Sequence, residues 1–222
     1  MPNWAYNNEI IYGPKAEIDG LYKKLINWTS INQEENGFGL KWIGNIVIGA
    51  GFKVPDGVDP CKSFSDLDNL QCKGSILNDF EVTDCDNGFA KISFDSETAW
   101  SDFRETWDLI LEKHAPNCKY YFLSVEAGMD LFYKRDCDEH EFFPVDYFVD
   151  VYIDEETEKS SKFTIESGNY SHEDLLHIFQ DFLKSDEKDL DSLFIEIEDN
   201  IEKGVYGNPE NIYFKMEEFE EC

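Results

Sequence analysis

Positive charge is scarce in this chain. Nineteen Lys and Arg stand against 48 Asp and Glu in 222 residues, a formal net charge of −29. That balance excludes a whole-chain grip on nucleic acid, because phosphate binding is mostly a Lys/Arg term. Long apolar runs are absent as well. The longest, such as residues 42–52, fall well short of the ~20 residues that a bilayer requires. The opening residues have no basic stretch followed by an apolar one, so no export signal is expected. The six cysteines (Cys61, Cys72, Cys85, Cys118, Cys137, Cys222) contain no Cys-x-x-Cys pair. A structural zinc site is therefore disfavoured, and reduced thiols in a cytoplasm are expected. No catalytic, nucleotide or cofactor motif stands out, so no cofactor is expected either.

What is present is a real core-forming content, 41% hydrophobic and 15% aromatic. That is enough to oppose disorder despite the charge. The acids are unevenly spread. Residues 1–137 carry 22 acids and 13 bases, net −9, whereas residues 138–222 carry 26 acids and 6 bases, net −20. A change of role near residue 138 follows.

The periodicities predict an α+β fold. An apolar strand at residues 9–12 ends at Gly13-Pro14, and Ile18, Leu21, Leu25 and Trp28 then recur at helical spacing over residues 14–28. Residues 29–74, rich in Gly, Asp and Asn, read as an insertion with one apolar piece at 40–49, a short helix or buried strand. Asn87-Gly88 marks a tight hairpin between strands at 76–83 and 89–94. Trp100, Phe103, Trp107, Ile110 and Leu111 form the next helical stripe, over residues 98–114 and closed before Pro116. A second hairpin turns at residues 127–129, residues 141–153 read as one long strand, and residues 162–166 as its partner. Two amphipathic helices follow, on Leu175, Phe179 and Phe182, and on Leu190, Leu193, Ile197 and Ile201. Their stripes are expected to dock on the first domain. A strand at residues 211–216 comes last. The order β-α-β-β-α-β is the split βαβ pattern of a ferredoxin-like sandwich. The expected division is a ferredoxin-like domain at 1–150 and an acidic helical extension with a final strand at 151–222.

Several segments carry a family resemblance. Pro2-Asn3-Trp4 with Asn7 or Asn8 and then Gly13-Pro14, and Phe94 followed by Ala99-Trp100 and Trp107, resemble segments of the YubB-like proteins. So do Tyr120-Tyr121-Phe122-Leu123-Ser124-Val125-Glu126-Ala127-Gly128 and Phe142-Phe143-Pro144. These are ferredoxin-like proteins encoded by plasmids, phages and bacterial chromosomes. The resemblance covers residues 1 to about 150. It departs at Ala5, where a cysteine is common, at Ala127, where a proline often precedes the glycine, and in the acidic loop from Asp136 to Glu139. The family has no established biochemical activity. The resemblance therefore implies a fold and a mobile-element setting, and no reaction.

The candidate sites are few. Asp84-x-Asp86-Asn87-Gly88 begins like a calcium loop, but the glycine comes one position early and the twelfth-position acid is missing, so a hairpin turn is the preferred reading. Cys137-x-x-His140 beside Asp136, Asp138 and Glu139 has suitable ligand types but no second pair, which favours a solvated loop. Cys118 with His114 four residues earlier is the best nucleophile–base pair available, and a structural cysteine is the default. Glu126, Asp130 and Asp136 form a polar cluster around the Gly128 turn that could split its pKa values for acid–base work. An acidic face at Asp189, Asp191, Glu196, Glu198 and Asp199 is the candidate partner surface, since spacings of three, four and seven align like charges on one side of a helix.

Three functions are weighed on these residues. The first is a non-enzymatic interaction protein with an unknown protein partner, with neither nucleic acid nor membrane bound directly. The second is an acidic DNA mimic that occupies a DNA-binding protein, in the manner of an anti-restriction factor. A carboxylate-based enzyme is a distant third.

Overall fold

The structure, a computed structural model, describes residues 3–31, 41–53, 70–136, 142–154 and 162–222. The chain is α+β and divides into two compact units, Met1–Phe142 with Glu221–Cys222, and Phe143–Glu220.

The first unit opens with strand β1 (Trp4–Pro14) and helix α1 (Lys15–Thr29). Pro14 stands at the helix N-cap, one place before the first helical turn where the sequence put it. A short helix α2 (Ile43–Gly49) and strand β2 (Gly74–Ile76) follow, then β3 (Glu81–Asp84), β4 (Phe89–Ala99), helix α3 (Arg104–His114), β5 (Lys119–Glu126) and β6 (Leu131–Arg135). The apolar piece at 40–49 is thus helical, and part of the presumed insertion builds the core. The sheet order is β10-β6-β5-β1-β4-β2, with β3 also paired to β4 and β10 being Glu220–Glu221. The β1–β4, β1–β5, β2–β4, β3–β4 and β5–β6 ladders are antiparallel. The hairpin between β3 and β4 turns as its sequence requires, with Asn87 at φ 58° and Gly88 at φ 79°.

One face of this sheet meets the helices. Ile18, Leu21, Leu25 and Trp28 of α1, Ile43, Ile46 and Val47 of α2, and Trp107, Ile110 and Leu111 of α3 share a core with Ile11, Ile92, Phe94, Tyr120 and Phe122 of the strands. A chain of rings runs through it, Phe80–Phe94–Trp107–Tyr120–Phe122, with centroids 5.0, 5.1, 5.8 and 5.4 Å apart. Two glycines make room. A Cβ on Gly13 would stand 2.8 Å from the Cys118 Cα, and one on Gly49 would stand 2.3 Å from the Trp28 ring.

Trp100 departs from expectation. It is 41% exposed and lies outside α3. The reason is that β4 continues to Ala99, which pairs with Trp4, and the chain reverses only afterwards. Trp100 makes that reversal at φ +71°, a conformation strained for a bulky residue. Its N–H donates to the Asn3 carbonyl (2.9 Å), and the Lys73 ammonium sits 4.4 Å from its ring centre.

The second unit also differs from the sequence reading. Strand β7 covers only Tyr147–Ile153, since Pro144 interrupts the aromatic run before it. It lies between β8 (Gly168–Tyr170) and β9 (Ile212–Glu218) in a three-stranded antiparallel sheet. Residues 162–166 are not a strand. They place Phe163 and Ile165 in a core with Val149, Ile212 and Phe214. Helices α4 (His172–Leu183) and α5 (Leu190–Glu202) put Leu175, Phe179, Leu193, Ile197 and Ile201 into that same core. Their stripes are consumed inside their own unit, so the expected docking on the first domain is corrected. The boundary falls at 142/143 rather than 150 because β7 belongs with β9, and the extension is a mixed unit rather than a helical one. Ser171 caps α4 by accepting from the Asp174 N–H, as its capping sequence indicates. Among the described residues, no helix is long and apolar enough to cross a membrane.

Candidate functional site

The acidic face lies on α5. Asp189 is its N-cap, accepting from the Ser192 N–H at 3.2 Å. Leu190, Leu193, Ile197 and Ile201 are buried, which leaves Asp191, Glu196, Glu198, Asp199 and Glu202 exposed. At ~100° per residue, Asp191, Glu198 and Glu202 fall within an arc of about 40°, separated along the axis by ~10 and ~6 Å. Asp199 and Glu196 stand further round. The row is not purely acidic, because Ile195 projects beside it at 58% exposure. Lys203 pairs with Asp199 at 3.1 Å. Among the described residues, Lys184 and Lys188 form no ion pair with this helix. Burial, and then the charges of Glu202 and Asp199, push the Glu198 carboxyl above its ordinary value. The crowding of like charge is therefore physical and not only sequential.

A second polar feature escaped the sequence reading. Ala5, Asn7, Glu9 and Ile11 point to the helix side of the sheet by strand alternation. The ladders set Asn7 between Ser96 of β4 and Ser124 of β5, so one row across three strands is entirely polar. All three are buried, together with Glu9, Thr98, Asp102 and Glu126. Asn7 Nδ2 donates to Ser96 Oγ (3.1 Å) and Thr98 Oγ1 (2.8 Å). Tyr120 donates to Glu9 Oε1 at 2.6 Å. Arg104 clasps Asp102 through Nε (2.8 Å) and Nη2 (2.7 Å). Among the described residues, Asn7 Oδ1, Glu9 Oε2 and Glu126 Oε2 accept no hydrogen bond. Burial pushes the Glu9 carboxyl up to about 8; contacts from Ser96, Tyr120 and Trp107 offset part of the rise, and Asp102 adds to it. The period-two placement of Asn7 and Glu9 beside Ile11 was the available signal.

The other candidates separate. Glu126 is buried and accepts from the Gly128 N–H at 3.2 Å, while Asp130 forms the left-handed turn at φ 55°. Asp136 follows Arg135, which pairs with Phe122, whereas Leu131 pairs with Glu126. Asp136 thus stands about 15 Å along β6 from Glu126, too far to share a proton. Burial, then the Glu17 charge, pushes the Cys118 thiol up to about 12. Its would-be base His114 is turned to Lys24 (3.4 Å) and the Ala50 carbonyl (2.9 Å). A poorly ionised, buried thiol is a packing residue. Asp84 of the hairpin turn pairs with Lys15 at 2.5 Å. Cys61, Cys137, Asp138, Glu139 and His140 lie outside the described residues. Between α3 and β5 a cleft of about 450 Å³ is lined by Asp108, Glu112, Cys118, Tyr120, Tyr121 and Arg135. Its Arg135 is held by both oxygens of Asp108 at 2.9 Å.

Two arrangements thus have chemical content: a buried polar row and an exposed acidic helix. No protein-family model, no curated protein and no solved structure matches this chain.

Proposed function

We propose that this chain is a non-enzymatic cytoplasmic binding protein of mobile-element type, whose second unit offers carboxylates to a cationic protein partner. The observation that carries the reading is the exposed side of α5, where Asp191, Glu198 and Glu202 align and Lys203 neutralises only Asp199. Residues 143–220 hold 22 acids and 6 bases, net −16, so the field around this helix favours cations and repels nucleic acid. The first unit serves as scaffold. Its strand order β5-β1-β4-β3, with α1 and α3 as the two connections, supports a ferredoxin-like topology, and the YubB-like segments fall on β1, β4, α3 and β5.

The experiment is capture of partners by the full chain from a bacterial lysate, at low and raised salt, beside the triple variant Asp191→Asn, Glu198→Gln, Glu202→Gln. The proposal requires basic proteins that release as salt rises and that the variant retains poorly. Equal capture by the variant would refute the assignment to α5.

A DNA mimic is the second reading, supported by the same aligned carboxylates. Its weakness is density. Three charges over ~16 Å of helix are sparse beside a duplex, which carries one per ~1.7 Å of axis. If duplex DNA fails to compete for the captured proteins, the mimic reading is lost and the cationic-partner reading remains.

A further inference from the structure

The acidic helix borders an edge strand. Hydrogen bonds at the two ends of the β7–β9 ladder, Asp154 N–H to the Asn211 carbonyl (3.0 Å) and Phe219 N–H to the Asp146 carbonyl (2.9 Å), join residues that stand directly opposite one another. Antiparallel geometry alternates bonded and non-bonded pairs. Tyr213, Lys215 and Glu217 therefore bond to β7, while the peptide groups of Ile212, Phe214, Met216 and Glu218 point away from it. β9 ends the sheet order β8-β7-β9. The Ile212 N–H turns back to the Pro209 carbonyl, and the N–H groups of Phe214, Met216 and Glu218 have no partner among the described residues. The edge is guarded by charge alone, from Lys215, Glu217 and Glu218. β9 contains no proline, and seven consecutive pairs with β7 leave no bulge.

We propose that β9 accepts an added strand from a basic protein, an extended Lys/Arg-rich segment running beside the carboxylates of α5. This rests on the cationic-partner reading above and names its docking mode. The two features adjoin through Phe194, whose ring lies 5.2 Å from that of Phe214 on β9. On the helix surface Phe194 is flanked by Asp191 three residues before it and Glu198 four after it. Glu217 and Glu218 add charge on the strand itself, with Glu217 partly offset by Lys215 at 2.8 Å. The open peptide groups supply affinity without sequence choice, and the carboxylates select the sign of the guest. A second copy is the wrong occupant, because pairing β9 with β9 would bring two units of net −16 edge to edge.

The test uses the full chain and two capped octapeptides of equal charge, (Lys-Thr)4 and (Lys-Pro)4, the second lacking every alternate N–H. Binding is measured by titration at low salt, and exchange of backbone amides by NMR. The expected result is at least tenfold tighter binding of (Lys-Thr)4. Exchange should slow at least tenfold at Phe214, Met216 and Glu218, with Tyr213, Lys215 and Glu217 unchanged. Glu218→Pro should weaken (Lys-Thr)4 about tenfold relative to Glu218→Gln, since the Glu218 N–H bonds nothing in β7. Equal binding of both peptides without new protection overturns strand addition and leaves the cationic-partner reading standing. Binding of neither peptide overturns both. Protection that grows with protein concentration in the absence of peptide assigns the edge to a second copy and overturns the proposal.

Discussion

Tyr120 donates its phenol to Glu9 at 2.6 Å from the neighbouring strand, and both side chains are buried. Among the described residues, one hydrogen bond joins the pair and no cation pairs with the Glu9 carboxyl. Trp107 and Ser96 come near the carboxyl, Asp102 adds like charge from the approach to α3, and Arg104 is already committed to Asp102. Burial accordingly keeps Glu9 protonated to about pH 8 and pushes the Tyr120 phenol well above its ordinary value.

That arrangement makes stability depend on pH. The folded state retains the Glu9 proton between the ordinary value of 4.5 and about 8, where the unfolded state has lost it. The stabilisation from this group is therefore complete below pH 4.5 and is lost progressively as pH rises to about 8, a total of order several kcal/mol. Glu9→Gln keeps an acceptor for Tyr120 and removes the titration. Urea midpoints from pH 5 to 9 should fall more steeply in the native chain than in the variant. Parallel profiles would show that Glu9 is ionised in the fold.

Tyr120→Phe should cost about 1–3 kcal/mol, because it leaves a buried carboxyl oxygen without its donor. The double variant with Glu9→Gln should cost less than the sum of the singles, which a urea double-mutant cycle would read.

The two tryptophans of the second helical stripe should behave oppositely. Trp107, wholly buried between Phe94 and Tyr120, should cost ~3–5 kcal/mol as Trp107→Ala. Trp100→Gly should be neutral or stabilising by up to about 1 kcal/mol, since glycine relieves the φ of +71°. A loss of several kcal/mol at Trp100 would mean that the reversal needs its ring.

Gly13→Ala should destabilise by ~1–3 kcal/mol, the range for forcing extra atoms into a packed site. The new Cβ would meet the Cys118 backbone at 2.8 Å, which cannot swing aside as a side chain can. Thermal or urea midpoints decide it.

Cys72, Cys85, Cys118 and Cys222 form no disulfide. Reductant should leave the thermal midpoint unchanged. A fall of ten degrees would require a disulfide involving Cys61 or Cys137.

Local pattern by itself determined much of this protein. Helical spacing marked α1, α4 and α5, and Asn87-Gly88 marked the β3–β4 hairpin, because those signals depend only on a residue and its near neighbours along the chain. The acidic face of α5 was legible for the same reason: a helix turns by a known angle per residue. Trp100 was misplaced because strand β4 and helix α3 compete for the same stretch, and pairing of Ala99 with distant Trp4 decides the contest. The buried polar row of Asn7, Ser96 and Ser124 exists only once three strands are in register. The helices of the second unit were expected to pack on the first because an apolar stripe states that it must be covered and not by what. Val149, Phe163 and Phe214, brought together from three separate segments, supply the cover. The open edge of β9 likewise belongs to tertiary structure alone, since which side of a strand stays unpaired is set by the strands around it and not by its own residues.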